Sequence, residues 1–197
     1  KNVHKPGKVI KDIGNINGAF RAADKIVEST FQLPHLSHAP MEVPNAVAWV
    51  QGTSCEVWAP TQAPQSSRTE VASYLETEEE NVTINVTFLG GGFGRKSKPD
   101  YIVEAVMVSK AIDAPVQVIW SREDDIQHGY FHTCSAQYMK ASLDKNGKVS
   151  GWLHRTALPS IMSTFSPGVD EPSGFEMGSS SNVPFEIENM KFEAGKA

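Results

Sequence analysis

Between Leu89 and Lys96 the chain reads Leu89-Gly90-Gly91-Gly92-Phe93-Gly94-Arg95-Lys96. Four glycines in five positions do not serve burial; they let a backbone reach positive φ and approach another group closely. Upstream, Val82 to Leu89 alternates β-branched and polar residues, the pattern of a half-buried strand. Downstream, Pro99 and Asp100 suit a helix's first turn. Proline lacks the N–H that position does not need, and aspartate opposes the positive end of the dipole. Apolar residues then run to Ile112, and Lys110 and Pro115 are stop signals before a second strand, Val116–Trp120. The unit is strand, glycine loop, helix, strand. Such a loop aims backbone N–H groups at a ligand, commonly an anion. If the two strands are parallel neighbours, the loop lies at their carboxyl ends, a usual ligand position.

Two short motifs come close and miss at the same residue. The phosphate-loop pattern G-x-x-x-x-G-K-[ST] fits Gly90 to Ser97 except that Arg95 replaces the second glycine. No apolar strand ending in a magnesium-binding aspartate follows it. The dinucleotide pattern G-x-G-x-x-G fits Gly90 and Gly92 and again puts Arg95 at its last glycine. An anion- or nucleotide-binding module without enzymatic activity, and a tight turn that binds nothing, stand beside the sharper reading that follows.

The longer string is more specific. Gly90 to Lys96, Asp100, Glu104-Ala105, Ser109-Lys110, Ala114-Pro115-Val116 and Trp120 to Asp125 occur in one order. Before them come Leu36-Ser37-His38-Ala39-Pro40-Met41-Glu42 and Val57-Trp58-Ala59-Pro60-Thr61-Gln62. This series resembles the molybdenum-binding subunit of the xanthine dehydrogenase/aldehyde oxidase family, in particular the β subunits of isoquinoline 1-oxidoreductases and related aldehyde dehydrogenases. It runs from about Ala22 to Arg155.

The resemblance implies a piece of an enzyme that inserts water-derived oxygen at an electron-poor carbon of an N-heterocycle or aldehyde. The implied cofactor is molybdopterin in its cytosine dinucleotide form, held by the full enzyme and not by this chain alone. Implied partners are a small [2Fe-2S] subunit and a cytochrome. Relatives of this kind occur in the periplasm or cell envelope and in the cytoplasm. Gln62 is expected to donate a hydrogen bond to an oxo ligand, a role suited to an uncharged amide. Gly91, Gly92, Phe93 and Gly94 are expected to contact the cofactor through the backbone, with Phe93 adding an apolar wall. The family's general-base glutamate is expected outside this chain. Two departures concern side chains: Val43 separates Glu42 from Pro44, where relatives have Glu-Pro, and Ser97 stands where some relatives carry an acid.

Composition restricts the alternatives. The chain has 197 residues, 40% of them hydrophobic and 21% charged, enough for a real core. A net charge of −5 argues against a nucleic-acid partner, which needs clustered Lys and Arg. No apolar run reaches a membrane span. Two cysteines, Cys55 and Cys134, cannot alone form a zinc or iron–sulfur site. His38 and Glu42 have the spacing of a helical metal pair, but Pro40 between them opposes that helix. Glu123, Asp124 and Asp125 read as surface carboxylates.

The fold expected is α+β, a mixed sheet with packed helices. Residues 1–14 are expected to be loose and 15–158 to form the cofactor-binding domain. Residues 159–184 are expected to form a mobile loop, and 185–197 a terminal strand or tail, with its strand over Phe185–Phe192.

Overall fold

The structure, a computed structural model, describes residues 2–166 and 168–196; Lys1, Pro167 and Ala197, which fall in the segments 1–14, 159–184 and 185–197, lie outside the described residues. Its strands and α-helices in chain order are β1 (Lys8–Ile13), α1 (Ile16–Ala22), β2 (Lys25–Leu33), β3 (Leu36–Ser37), β4 (Asn45–Gln51), β5 (Ser54–Ala59), α2 (Pro64–Leu75) and β6 (Val82–Val86). They continue with α3 (Asp100–Ile112), β7 (Val116–Ile119), α4 (Arg122–His128), β8 (Phe131–His132), β9 (Ser135–Leu143), β10 (Val149–Leu158), α5 (Gly174–Ser181) and β11 (Met190–Lys196). The architecture is α+β, with mixed sheets and packed helices.

The chain divides into two compact units, one built from residues 1–36 and 133–197 and the other from 37–132. The single domain expected over 15–158 is thereby corrected.

The first unit holds a five-stranded sheet in the order β1-β11-β10-β9-β2. Strands β10 and β11 are parallel and the other neighbours antiparallel. Strand β1 lies inside the segment expected to be loose, because Lys8–Ile13 finds a ladder partner in β11, more than 170 positions away in sequence. The segment expected to be a mobile loop contains α5. Ser173 and Glu176 close a reciprocal capping box at its start, and Met177 is buried. The Ser-x-x-Glu spacing was a legible start signal among the glycines and serines. The terminal strand begins at Met190 rather than Phe185. Phe192, Ala194, Leu158 and Met177 form this unit's apolar cluster.

The second unit is a four-stranded sheet in the order β6-β5-β4-β7, with β5 and β6 parallel and β4 antiparallel to both β5 and β7. Strands β6 and β7 therefore occupy opposite edges and are not neighbours. Alternation sends Ala46, Ala48, Val50, Cys55, Val57 and Ala59 to one face. There they pack with Val71 and Ala72 of α2 and with Tyr101, Ile102, Ala105 and Val106 of α3. Burial pushes the Cys55 thiol up to about 11, so it acts as a small apolar side chain. Ser109 accepts from the Val50 N–H at 3.0 Å and donates to the Ala114 carbonyl at 2.8 Å, tying the end of α3 to the sheet. Strand β6 ends at Val86, three residues before the glycines, and Phe88 is fully exposed.

Candidate functional site

Every candidate site residue lies in the second unit. The glycine loop leaves the carboxyl end of β6 and closes in a 3₁₀ turn, Arg95–Ser97, before α3. Gly91 has φ of +93° and Gly94 of +97°. These values make a side chain costly and leave bare backbone. Phe93 also has positive φ, +53°, and is 64% exposed. A non-glycine residue held in this region marks strain that the surroundings must maintain.

Gln62 follows β5 and reaches this loop. Its backbone N–H donates to the Lys96 carbonyl at 3.0 Å, and its side-chain Oε1 accepts from the Gly94 N–H at 2.9 Å. Oε1 is engaged as an acceptor, and the amide's donor is its NH₂. A Cβ on Gly92 would overlap the Gln62 Oε1, so the glycine is required for Gln62 to lie where it does. The structure brings together Gln62, Gly92 and Gly94, residues separated by 32 positions at most.

Charged residues in and beside the loop hold it. The Lys96 ammonium is fully buried and donates to Glu42 Oε2 at 2.6 Å. The same oxygen accepts from the Gly90 N–H at 2.9 Å, and the Glu42 N–H donates to the Gly90 carbonyl at 2.9 Å. Burial pushes the Glu42 carboxyl up, but the Lys96 and Gly90 hydrogen bonds outweigh it and hold it below the usual carboxylate range. The Gly90 N–H and the Lys96 ammonium are donors that an anion-binding loop would offer to its ligand. Here both serve a carboxylate of the chain itself.

Arg95, the residue at which both short motifs fail, is 1% exposed. Its guanidinium binds Asp100 through two hydrogen bonds of 2.8 Å. The guanidinium carbon also lies 5.1 Å from the Trp120 ring centroid and 5.4 Å from that of Tyr130. A glycine there, as either motif demands, would empty this pocket. Arg122 donates to the Pro40 and Met41 carbonyls and pairs with buried Asp125 at 2.5 Å. The reading of 123–125 as surface carboxylates is corrected at Asp125, which helix α4 turns inward; Glu123 and Asp124 are exposed.

His38 Nδ1 hydrogen-bonds the Tyr130 carbonyl at 2.9 Å, and its ring centroid lies 3.9 Å from that of His132. Its Nε2 is 3.7 Å from where a Cβ on Gly94 would sit. Glu42 and His38 thus have separate partners, and among the described residues no group of three or more His, Cys, Asp or Glu could hold a metal. Burial holds His38 below its ordinary value of 6.5, and burial does the same to His154 of the first unit, whose Nε2 bonds the Gln137 amide oxygen at 2.8 Å. A histidine depressed in the folded state supports stability that is complete above its unfolded value and lost as pH falls through its folded value. The melting temperature of the chain is therefore expected to drop between pH 7 and pH 5, followed by circular dichroism. The drop should shrink in a His38→Gln, His154→Gln double variant. A flat profile in the parent chain would refute the assignment.

Comparison with known proteins gives this geometry its setting. The model of the molybdopterin cofactor-binding domain family matches residues 2–195. Isoquinoline 1-oxidoreductase subunit beta of Brevundimonas diminuta is 31% identical over 159 residues, covering 79% of this chain and 20% of that protein. The aldehyde oxidoreductase molybdenum-binding subunit of Escherichia coli is 28% identical over 148 residues, covering 74% of this chain and 20% of that protein. Among solved structures, the aldehyde oxidoreductase of Desulfovibrio gigas shares the fold with a TM-score of 0.68 at 17% identity, over 98% of this chain and 22% of that one. The chain spans about a fifth of the length of the curated relatives named here. With the family model matched from residue 2 to residue 195, the chain belongs to the molybdopterin cofactor-binding domain family.

Proposed function

We propose that this chain is part of the large subunit of a molybdenum hydroxylase, and that Gln62 with Gly91, Gly92, Phe93 and Gly94 forms one wall of its cofactor site. The observation that carries the reading is the Gln62 amide clasped by the Gly94 N–H beside bare glycine backbone. The donor set fits the group. An amide NH₂ stabilises an oxygen ligand without adding a cation, and glycine backbone admits a large ligand closely. When bound, a molybdenum pterin supplies the redox centre that takes two electrons from the substrate carbon. The residues of this chain bind and orient. Gln62 donates a hydrogen bond, Gly92 leaves room for that amide, and exposed Phe93 offers an apolar face to a flat substrate.

On this reading the substrate is an isoquinoline-type heterocycle or an aldehyde, and the oxygen comes from water. The cofactor is the cytosine dinucleotide form, and electrons leave through a [2Fe-2S] subunit, with a cytochrome as a further partner. The general base lies outside these residues. The names of the isoquinoline and aldehyde relatives support the choice of substrates.

The reading predicts that the 197-residue chain alone folds, holds no molybdenum and oxidises nothing. Sites for large ligands bury most of the ligand between several loops. Association costs ~4–15 kcal/mol, which a few backbone hydrogen bonds at ~0.5–1.5 kcal/mol each do not offset. The test is elemental analysis of the purified chain and of the complete subunit, with dye reduction by quinoline-type and aldehyde substrates. Stoichiometric molybdenum in the short chain, or none in the complete subunit, would sink the proposal.

A further inference from the structure

We propose that the Glu42–Lys96 ion pair is a positioning device that sets the glycine loop, and through it the Gln62 amide, in shape before any ligand arrives. The inference rests on the proposed role of Gln62. Among the described residues, none of 87–96 belongs to the apolar cluster beneath the sheet. The hydrophobic effect that fixes α3 against β4 and β5 therefore does not fix the loop. Beyond Arg95, anchored on Asp100 beside the Trp120 and Tyr130 rings, its shape rests on a continuous set of polar contacts. Glu42 exchanges two hydrogen bonds with Gly90, and its carboxylate holds the Lys96 ammonium. The Lys96 carbonyl accepts from the Gln62 N–H at 3.0 Å and from the Thr61 hydroxyl at 3.2 Å. The Gln62 amide oxygen then accepts from Gly94. Lys96 thus joins Glu42 at one end of its side chain to Gln62 at its own backbone, linking three segments that are far apart in sequence.

The burial of the pair is asymmetric. The Lys96 side chain is fully buried and that of Glu42 is 33% exposed. Glu42 is the sole carboxylate paired with that ammonium among the described residues, and a buried charge without a counter-charge does not keep its place. Neutralising Glu42 is expected to release Lys96, and the Lys96 carbonyl and Gln62 with it.

The experiment is amide hydrogen exchange by NMR on the ¹⁵N-labelled chain, which needs no cofactor. In Glu42→Gln the amides of both Gly90 and Gly94 should exchange at least about tenfold faster, while those of Ile102, Ala105 and Val106 in α3 keep their rates. Gln62→Ala serves as reference, speeding Gly94 alone. A Gly94 rate unchanged in Glu42→Gln would overturn the proposal, since the effect would stop at the direct contact with Gly90. Equal acceleration in α3 would also overturn it, because the pair would then be a general stability element. Should Glu42→Gln not fold, Glu42→Asp, one methylene short, is read by the same criteria. Failure here sinks the positioning role alone, whereas absence of molybdenum from the complete subunit sinks the functional reading and leaves this loop mechanism standing.

Discussion

Replacing Gln62 by alanine in the complete enzyme is expected to lower turnover by ~10²-fold or more, the loss typical of a preorganised donor at a reacting centre. Gln62 is exposed and its contacts are polar, so the fold should survive the change. Gly94→Val should be more damaging. The neighbourhood of Gly94 is open, with His38 Nε2 at 3.7 Å as its nearest contact, so the fault is not crowding within the chain. It is the φ of +97°, which a branched residue does not adopt, together with a side chain projecting where the cofactor is proposed to lie. Gly92→Ala is the intermediate case, since its methyl group would displace the Gln62 amide and leave the backbone free to keep its path. Steady-state turnover and molybdenum content of the three variants check the order. Unchanged turnover in both Gln62→Ala and Gly94→Val would mean that this wall does not face the chemistry.

The second large effect is on stability. Asp100→Ala is expected to destabilise the chain by about 3–5 kcal/mol, measured by urea unfolding. The change removes both hydrogen bonds from a guanidinium that is 1% exposed and cannot lose its proton. The Trp120 and Tyr130 rings remain around it but do not replace a counter-charge. Glu123→Ala, one helix further on and exposed, should stay within about 0.5 kcal/mol of the parent chain. Similar values for the two variants would show that Asp100 does not hold Arg95.

Local order was legible wherever neighbours in sequence are neighbours in space. The alternation in Val82–Val86, the apolar run to Ile112 and the stop at Pro115 state a strand, a helix and a second strand without help from the rest of the chain. The glycines state a close approach of backbone, and the order of the motifs from Leu36 to Asp125 carries the family. Tertiary structure decided what depends on partners remote in sequence. Strand β1 looked loose because its ladder lies at the other end of the chain, and β6 and β7 proved to be opposite edges because β4 and β5 fill the space between them. The roles of Arg95, Lys96, Glu42 and Asp125 were not readable from residue type. A charged side chain in a loop reads as solvated, since burial without a partner is too costly. Glu42 reaches Lys96 from 54 positions away, while Asp100 and Arg122 lie only five and three positions from Arg95 and Asp125; there the fold supplies the burial that makes the pairing necessary.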